Sequence, residues 1–218
     1  GGNPSLDLNS LNFIIYLLRS EISLNCIKEY TIECNPLYIS DDFINIVKNI
    51  KNLRISLGIQ SFNKKTLSIC NRINQDNHII INALENLNNN QINTSIDLIN
   101  GLPDLNINLE INNLKKMLKK YKNINHISFY ELSIENNSKF FKFKNIKYPS
   151  EKINFEYEKR FQNLLNVYNF KRYEISNYAK NNHYSLHNIN YWKYKNYIGL
   201  GPSAHSTIDD IRIENAPD

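Results

Sequence analysis

Leu11, Ile14, Ile15 and Leu18 recur at three- and four-residue spacing and predict a first amphipathic helix. A short β-prone run from Tyr30 to Pro36 follows, ending in polar residues and a proline. Ser40 can cap the next helix, Asp41 and Asp42 favour its first turn, and Phe43, Val47 and Ile50 line one face. The alternation returns from Arg54 to Phe62, and a helical region runs on from Thr66 with Ile80, Ala83, Leu84 and Leu87 as its later apolar stripe. A third strand, Ser95 to Asn100, stops at Gly101-Leu102-Pro103. Ile111, Leu114 and Leu118 mark the helix after it, and Ile127 to Leu132 gives a fourth strand. Four strand-then-helix units in succession predict an α/β fold of parallel strands joined by right-handed crossovers.

The rhythm then breaks. Asn136 to Tyr148 reads as an insertion or loop. Ile153, Tyr157, Phe161, Leu164, Leu165 and Tyr168 restore helical spacing, with Ser150 at the start, and Arg172 to Asn177 reads as a short strand. Asp209 to Ile213 has the pattern of a turn and an edge strand. At the other end, Gly1-Gly2-Asn3-Pro4-Ser5 reads as the end of a strand passing into a turn open enough for close ligand approach. An earlier part of a larger domain is expected ahead of it.

Glu33, Gln60, Asp97 and Glu131 fall near the carboxyl ends of the four predicted strands, the edge at which parallel sheets and barrels bind ligands. Each alone could anchor its following loop; four in phase point to one site. A second concentration of chemistry lies between His183 and Ser206. It gathers His183, His187 and His205 with Trp192 and with Tyr184, Tyr191, Tyr194 and Tyr197. Aromatic faces beside imidazoles suit a large flat ligand. The competing reading is a buried aromatic cluster whose histidines only satisfy backbone groups.

Composition narrows the classes. A chain of 218 residues that is 41% hydrophobic and 22% charged can hold one sizeable core. The net charge of +5 is spread along the chain, and Lys115, Lys116, Lys119 and Lys120 look like a solvated helix face, so no nucleic-acid partner is expected. Cys26, Cys34 and Cys70 are odd in number and far apart, which fits a reducing, cytoplasmic setting better than a disulfide framework. The apolar runs are short and broken, so no transmembrane segment is expected.

In order, GGNPS, TIECNP, RISLGIQSFN, NRIN, DLINGLP, YEISNYA, HNINYW and GLGPSAHS resemble the oxygen-independent coproporphyrinogen III oxidase-like family of radical S-adenosylmethionine (SAM) proteins, in its HemW heme-chaperone branch. The resemblance runs from Gly1 to about Ser206. It implies a partial (βα)6 barrel over residues 1–180, truncated at its first βα unit, followed by an aromatic and histidine-bearing segment over 181–218. It further implies SAM contacts at Gly1, Gly2, Asn3, Glu33, Gln60, Arg72 and Asp97, with Asn3 standing where the family usually has threonine. Glu131 matches no family site and is left as a strand-end residue.

HNINYW matches the HNxxYW pattern of the HemW branch. By that resemblance His187 is the heme contact, Tyr191 and Trp192 are its packing neighbours, and His205 is a second candidate ligand or a residue near SAM. Heme, SAM and a [4Fe-4S] cluster are the implied cofactors, and the implied partner is a heme-accepting protein, with the respiratory chain as one place to look for it. The family's CxxxCxxC cluster motif is expected ahead of Gly1. The three cysteines cannot replace it, because they fall on different elements and alternation turns Cys34 away from Glu33. The implied function is heme binding and transfer; the alternatives are anaerobic decarboxylation of coproporphyrinogen III and a non-catalytic remnant. No catalytic residue is assigned.

Overall fold

The computed structural model of the chain describes residues 3–22, 26–134 and 146–217. Its centre is a six-stranded sheet in the order β1-β2-β3-β4-β6-β5. Four strands are parallel: β1 (Tyr30–Cys34), β2 (Leu53–Gln60), β3 (Asn93–Asn100) and β4 (Ile124–Glu131). The last two positions are filled differently. Where one strand over Arg172 to Asn177 was expected, Lys171–Arg172 (β5) and Asn177–Ala179 (β6) form an antiparallel hairpin, and β6 pairs antiparallel with β4. The intervening residues turn the chain: Tyr173 N donates to Asn177 O at 3.1 Å, and Ser176 N donates to the Glu174 carboxylate at 3.0 Å. The partial α/β barrel is thus present, with four parallel strands and an antiparallel closing edge.

Alternation along the strands separates two chemistries. One face carries Ile32, Cys34, Ile55, Leu57, Ile59, Ile96, Leu98, Ile127 and Phe129, all buried in one apolar cluster with residues of the covering helices. Those helices are α1 (Leu8–Glu21), α2 (Asp41–Val47), α4 (Asn77–Asn89), α5 (Ile107–Lys120) and α6 (Glu151–Val167); a short α3 (Lys64–Ile69) lies between β2 and α4. Phe129 stacks on Phe161 at 3.9 Å between ring centroids, fixing α6 against the sheet. The opposite face presents Thr31, Glu33, Arg54, Ser56, Gly58, Ser95, Asp97, His126 and Ser128, so the concave side of the sheet is polar.

Helix boundaries follow local chemistry. Asp7 accepts from Asn9 N and Ser10 N at the start of α1, and Ser40 accepts from Phe43 N at the start of α2. Ser150 precedes α6 without using its side chain as a cap. The helical region expected to run on from Thr66 is two helices. Asn71 adopts φ +59° after α3, Arg72 N donates to Leu67 O at 2.8 Å, and Asp76 caps α4 afresh. That break frees Arg72 to turn toward the sheet.

The N-terminal expectation is also altered. Pro4–Leu6 form a turn of 3-10 helix with Asn3 as its cap rather than a strand end, and Gly1 and Gly2 lie outside the described residues. Most of the insertion expected over Asn136 to Tyr148 lies outside them too. Beyond β6, Leu186–Trp192 forms α7, and His205–Ile208 (β7) pairs with Ile211–Glu214 (β8). Asp209 and Asp210 have φ of +49° and +67°, as a tight two-residue hairpin turn needs.

Candidate functional site

The carboxyl ends of β1, β2 and β3 enclose a cleft of about 360 Å³. Asn3, Glu33, Asn35, Ser56, Gly58, Gln60, Arg72 and Asp97 contribute to its wall. The five described residues that the family resemblance assigns to SAM, namely Asn3, Glu33, Gln60, Arg72 and Asp97, are therefore brought together from five separate stretches of chain.

The local geometry explains how. The β2–β3 register shifts between Gly58 and Gln60, and Gln60 takes φ +68°, a conformation that is strained for a non-glycine residue. Gly58 supplies the space for it, because a Cβ there would lie 3.0 Å from Gln60 Nε2 and 3.5 Å from Arg72 Nη2. Arg72 Nη1 donates to Gly58 O at 2.7 Å and to Gln75 Oε1 at 2.9 Å, which anchors the guanidinium at the cleft wall. Ser56 Oγ donates to the Asp97 carboxylate at 2.9 Å. Burial pushes the Asp97 carboxyl upward, while hydrogen bonds from Ser128 and Ser56 work against that shift. Glu131 is exposed at the end of β4 and does not join this cleft.

A second, larger cavity of about 640 Å³ runs beside β1, lined by Asn3, Pro4, Ile14, Glu29, Thr31, Glu33 and His187. Asn3 and Glu33 belong to both walls, so the two cavities adjoin. Among the aromatic and histidine residues expected to form one binding wall, only His187 reaches this lining. Tyr191 stands edge-on to His187 at 6.0 Å and to Tyr197 at 4.7 Å, one layer back. Trp192 is 54% and Tyr194 82% exposed, so the competing expectation of a buried aromatic cluster does not hold. His205 sits in β7, outside both linings, and its buried Nδ1 has no hydrogen-bond partner among the described residues.

His187 is held by residues that motif reading passed over. Its Nδ1 lies 2.9 Å from Glu29 Oε1, and the Glu29 side chain is only 12% exposed. The other oxygen, Glu29 Oε2, accepts from Leu186 N at 2.9 Å, so the carboxylate also meets the first turn of α7. Arg54, itself buried, reaches Glu29 at 3.7 Å, Thr31 Oγ1 at 3.1 Å and Ser185 Oγ at 3.0 Å. Burial pushes the Glu29 carboxyl up, but the His187 hydrogen bond, the Leu186 amide and the Arg54 charge outweigh it and hold Glu29 down at about 2. Glu29 is thus an anion with no proton to give, and His187 Nδ1 is the donor between them. Arg54 Nη2, 3.4 Å from Nδ1, and Ser185 Oγ, 3.3 Å from Nδ1 and 3.5 Å from Nε2, are longer contacts, so the Glu29 bond is the shortest the ring makes. A signal for this was in the sequence: Glu29, Thr31 and Glu33 alternate onto one strand face.

The cysteines offer no cluster site. Cys26 is exposed and precedes β1, Cys34 is buried on the apolar face, and Cys70 follows α3. Burial pushes the Cys34 thiol up to about 12 and the Cys70 thiol up to about 11, away from the thiolate that metal binding needs. Among the described residues no group of three or more His, Cys, Asp or Glu side chains is placed to hold a metal ion.

A parallel α/β half-barrel with a polar concave face carries a carboxylate- and arginine-lined cleft at its carboxyl edge, the edge at which barrels of this class hold their sites. Residues 1–114 match the radical SAM superfamily, and the chain belongs to it. It is 34% identical over 213 residues to the heme chaperone HemW of Buchnera aphidicola subsp. Schizaphis graminum, covering 97% of this chain and 55% of that protein. It is 31% identical over 219 residues to HemW of Escherichia coli, covering 98% of this chain and 56% of that protein. The chain thus spans about half the length of the curated relatives it matches. The solved structure of Escherichia coli coproporphyrinogen III oxidase, HemN, a radical SAM enzyme, superposes with a TM-score of 0.80 at 22% identity, over 100% of this chain and 53% of that one. That likeness concerns the fold.

Proposed function

We propose that this chain forms the SAM- and heme-binding barrel of a heme chaperone that receives heme and passes it to an acceptor protein. The observation that carries the proposal is the position of His187: the HNINYW histidine faces a cavity of about 640 Å³ that adjoins the cleft gathering the SAM-site residues. A pocket of that volume is within the range that encloses a cofactor-sized ligand. SAM together with a [4Fe-4S] cluster supplies one-electron chemistry when both are bound. The described cysteines do not fit that cluster, so no step is assigned to it.

The chain's own residues divide the binding work. Glu33 and Asp97 offer acceptors to ribose hydroxyls, and Arg72 offers a fixed cation to a carboxylate at the cleft wall. Gly1 and Gly2 complete that set by family resemblance. His187 offers an imidazole nitrogen to heme iron, with Tyr191 behind it and the apolar Ile14 and Pro4 available to the porphyrin face. Trp192 and His205 lie outside the cavity wall and are given no contact in this reading. No helix among the described residues is long and apolar enough to cross a membrane, and the free cysteines suit a reducing compartment such as the cytoplasm. The decarboxylase reading draws no comparable support, since the likeness to HemN is one of fold.

Hemin titration of the wild-type chain and His187→Ala, followed by the Soret band, tests this directly. Saturable binding with a shifted Soret band is expected for wild type, and loss of that shifted species is expected for the variant. Identical titrations of the two proteins would remove His187 as the heme site.

A further inference from the structure

We infer that Glu29 is a positioning residue for heme: by accepting the Nδ1 proton of His187 it fixes the tautomer in which Nε2 is the nitrogen offered to iron. The inference rests on the heme reading of His187 and adds to it a residue that no motif marks. Three observations support it. The contact is short, 2.9 Å, between an anionic carboxylate oxygen and the ring nitrogen. The carboxylate is itself immobilised, by the Leu186 amide on Oε2 and by Arg54 and Thr31 beside it. Both Glu29 and His187 line the large cavity, so the pair is placed at the ligand rather than in the core.

The chemistry follows from the behaviour of an imidazole between two partners. Ligating histidines commonly donate their second ring N–H to a carboxylate, which orients the ring and makes the ligating nitrogen more basic. An anionic partner has the larger effect, because it stabilises the electron-poor ring that forms when iron withdraws charge. Arg54 tempers the carboxylate but is shared with Ser185 and Thr31, so the direct hydrogen bond remains the dominant influence on the ring.

A purely structural role for Glu29, as an acceptor at the start of α7, predicts different behaviour, and the two are separable. Glu29→Gln keeps the size of the side chain and an acceptor for Leu186 N but removes the charge. Hemin affinity of this variant is expected to fall about 10- to 100-fold. The reduction potential of the bound heme is expected to rise, because the imidazole becomes a poorer donor. An unchanged affinity and potential would overturn the role of Glu29 while leaving His187 as the ligand.

Should Glu29→Gln not fold, the question is settled with Glu29 intact in His187→Gly, supplied with exogenous bases. Imidazole carries the N–H that Glu29 accepts, and 1-methylimidazole does not. Restoration of the shifted Soret band at lower imidazole than 1-methylimidazole concentration is expected. Equal restoration by both would overturn the inference, and hemin binding by His187→Ala that matches wild type would remove the heme reading and this inference together.

Discussion

His126 shows how a single side chain can be polar, buried and neutral at once. It is 1% exposed, with Nδ1 2.7 Å from Ser95 Oγ and Nε2 2.8 Å from the Tyr173 hydroxyl. Burial raises Tyr173 to about 12, so its hydroxyl keeps its proton and can donate it to Nε2 while accepting from Ser185 N at 3.1 Å. His126 Nδ1–H then donates to Ser95. Desolvation, reinforced by the Arg54 charge, lowers His126 from 6.5 to about 3. The folded form therefore refuses a proton that the unfolded chain accepts. This contribution to stability is complete above about pH 6.5 and is lost progressively as pH falls toward 3. Unfolding free energies from urea titrations between pH 7 and pH 4 are expected to fall with a slope from this group approaching about 1.4 kcal/mol per pH unit. His126→Asn is expected to be less stable at pH 7 yet to show a shallower pH dependence; an equally steep one would contradict the assignment. None of this was legible in the sequence, where His126 falls just ahead of the expected fourth strand, Ile127 to Leu132.

Elements were easier to read than contacts, and the reason is periodicity. All four parallel strands were visible from alternation and from their polar or proline stops, because one face of each must bury Ile, Leu or Phe against the helices. The hairpin at β5–β6 was not, since strands of two and three residues leave no period to detect and depend on tertiary partners instead. The break between α3 and α4 was missed for a related reason: Asn71 is an ordinary residue by pattern, and its positive φ is set by the Arg72 amide returning to Leu67. The β7–β8 hairpin depends on Gly199 in the same hidden way. A Cβ on Gly199 would sit 2.1 Å from the carbonyl oxygen of His205, a backbone atom that cannot move aside alone. Gly199→Ala is expected to cost about 1–3 kcal/mol in that docking. Amide exchange over residues 205–214 should accelerate while β1 to β4 stay protected; unchanged exchange in the hairpin would show that the contact is relieved without loss.

At the scale of the whole molecule, the cleft was readable from the strand-end phasing of Glu33, Gln60 and Asp97 and from the motif set, and the second cavity not at all. Asn3, Glu33, Gln60, Arg72 and Asp97 were named from separate motifs, and the parallel sheet is what gathers them at one edge. The wall of the larger cavity combines α1, the edge strand β1 and the start of α7, a juxtaposition that no local pattern encodes. Glu29 and Arg54 become important only once α7 is seen to pack against the polar face of β1 and β2. The aromatic span, conversely, looked more unified than it is, because richness in rings does not say which way each ring points. The proposed heme site is therefore the cavity between Ile14, Thr31, Glu33 and His187. Paramagnetic broadening by ferric heme in methyl and amide NMR spectra measures it directly. Signals of Ile14, Thr31, Glu33 and His187 are expected to broaden first on addition of hemin, with those of β7–β8 little affected. Broadening centred on Trp192, His205 and the hairpin, with Ile14 and Thr31 untouched, would contradict it.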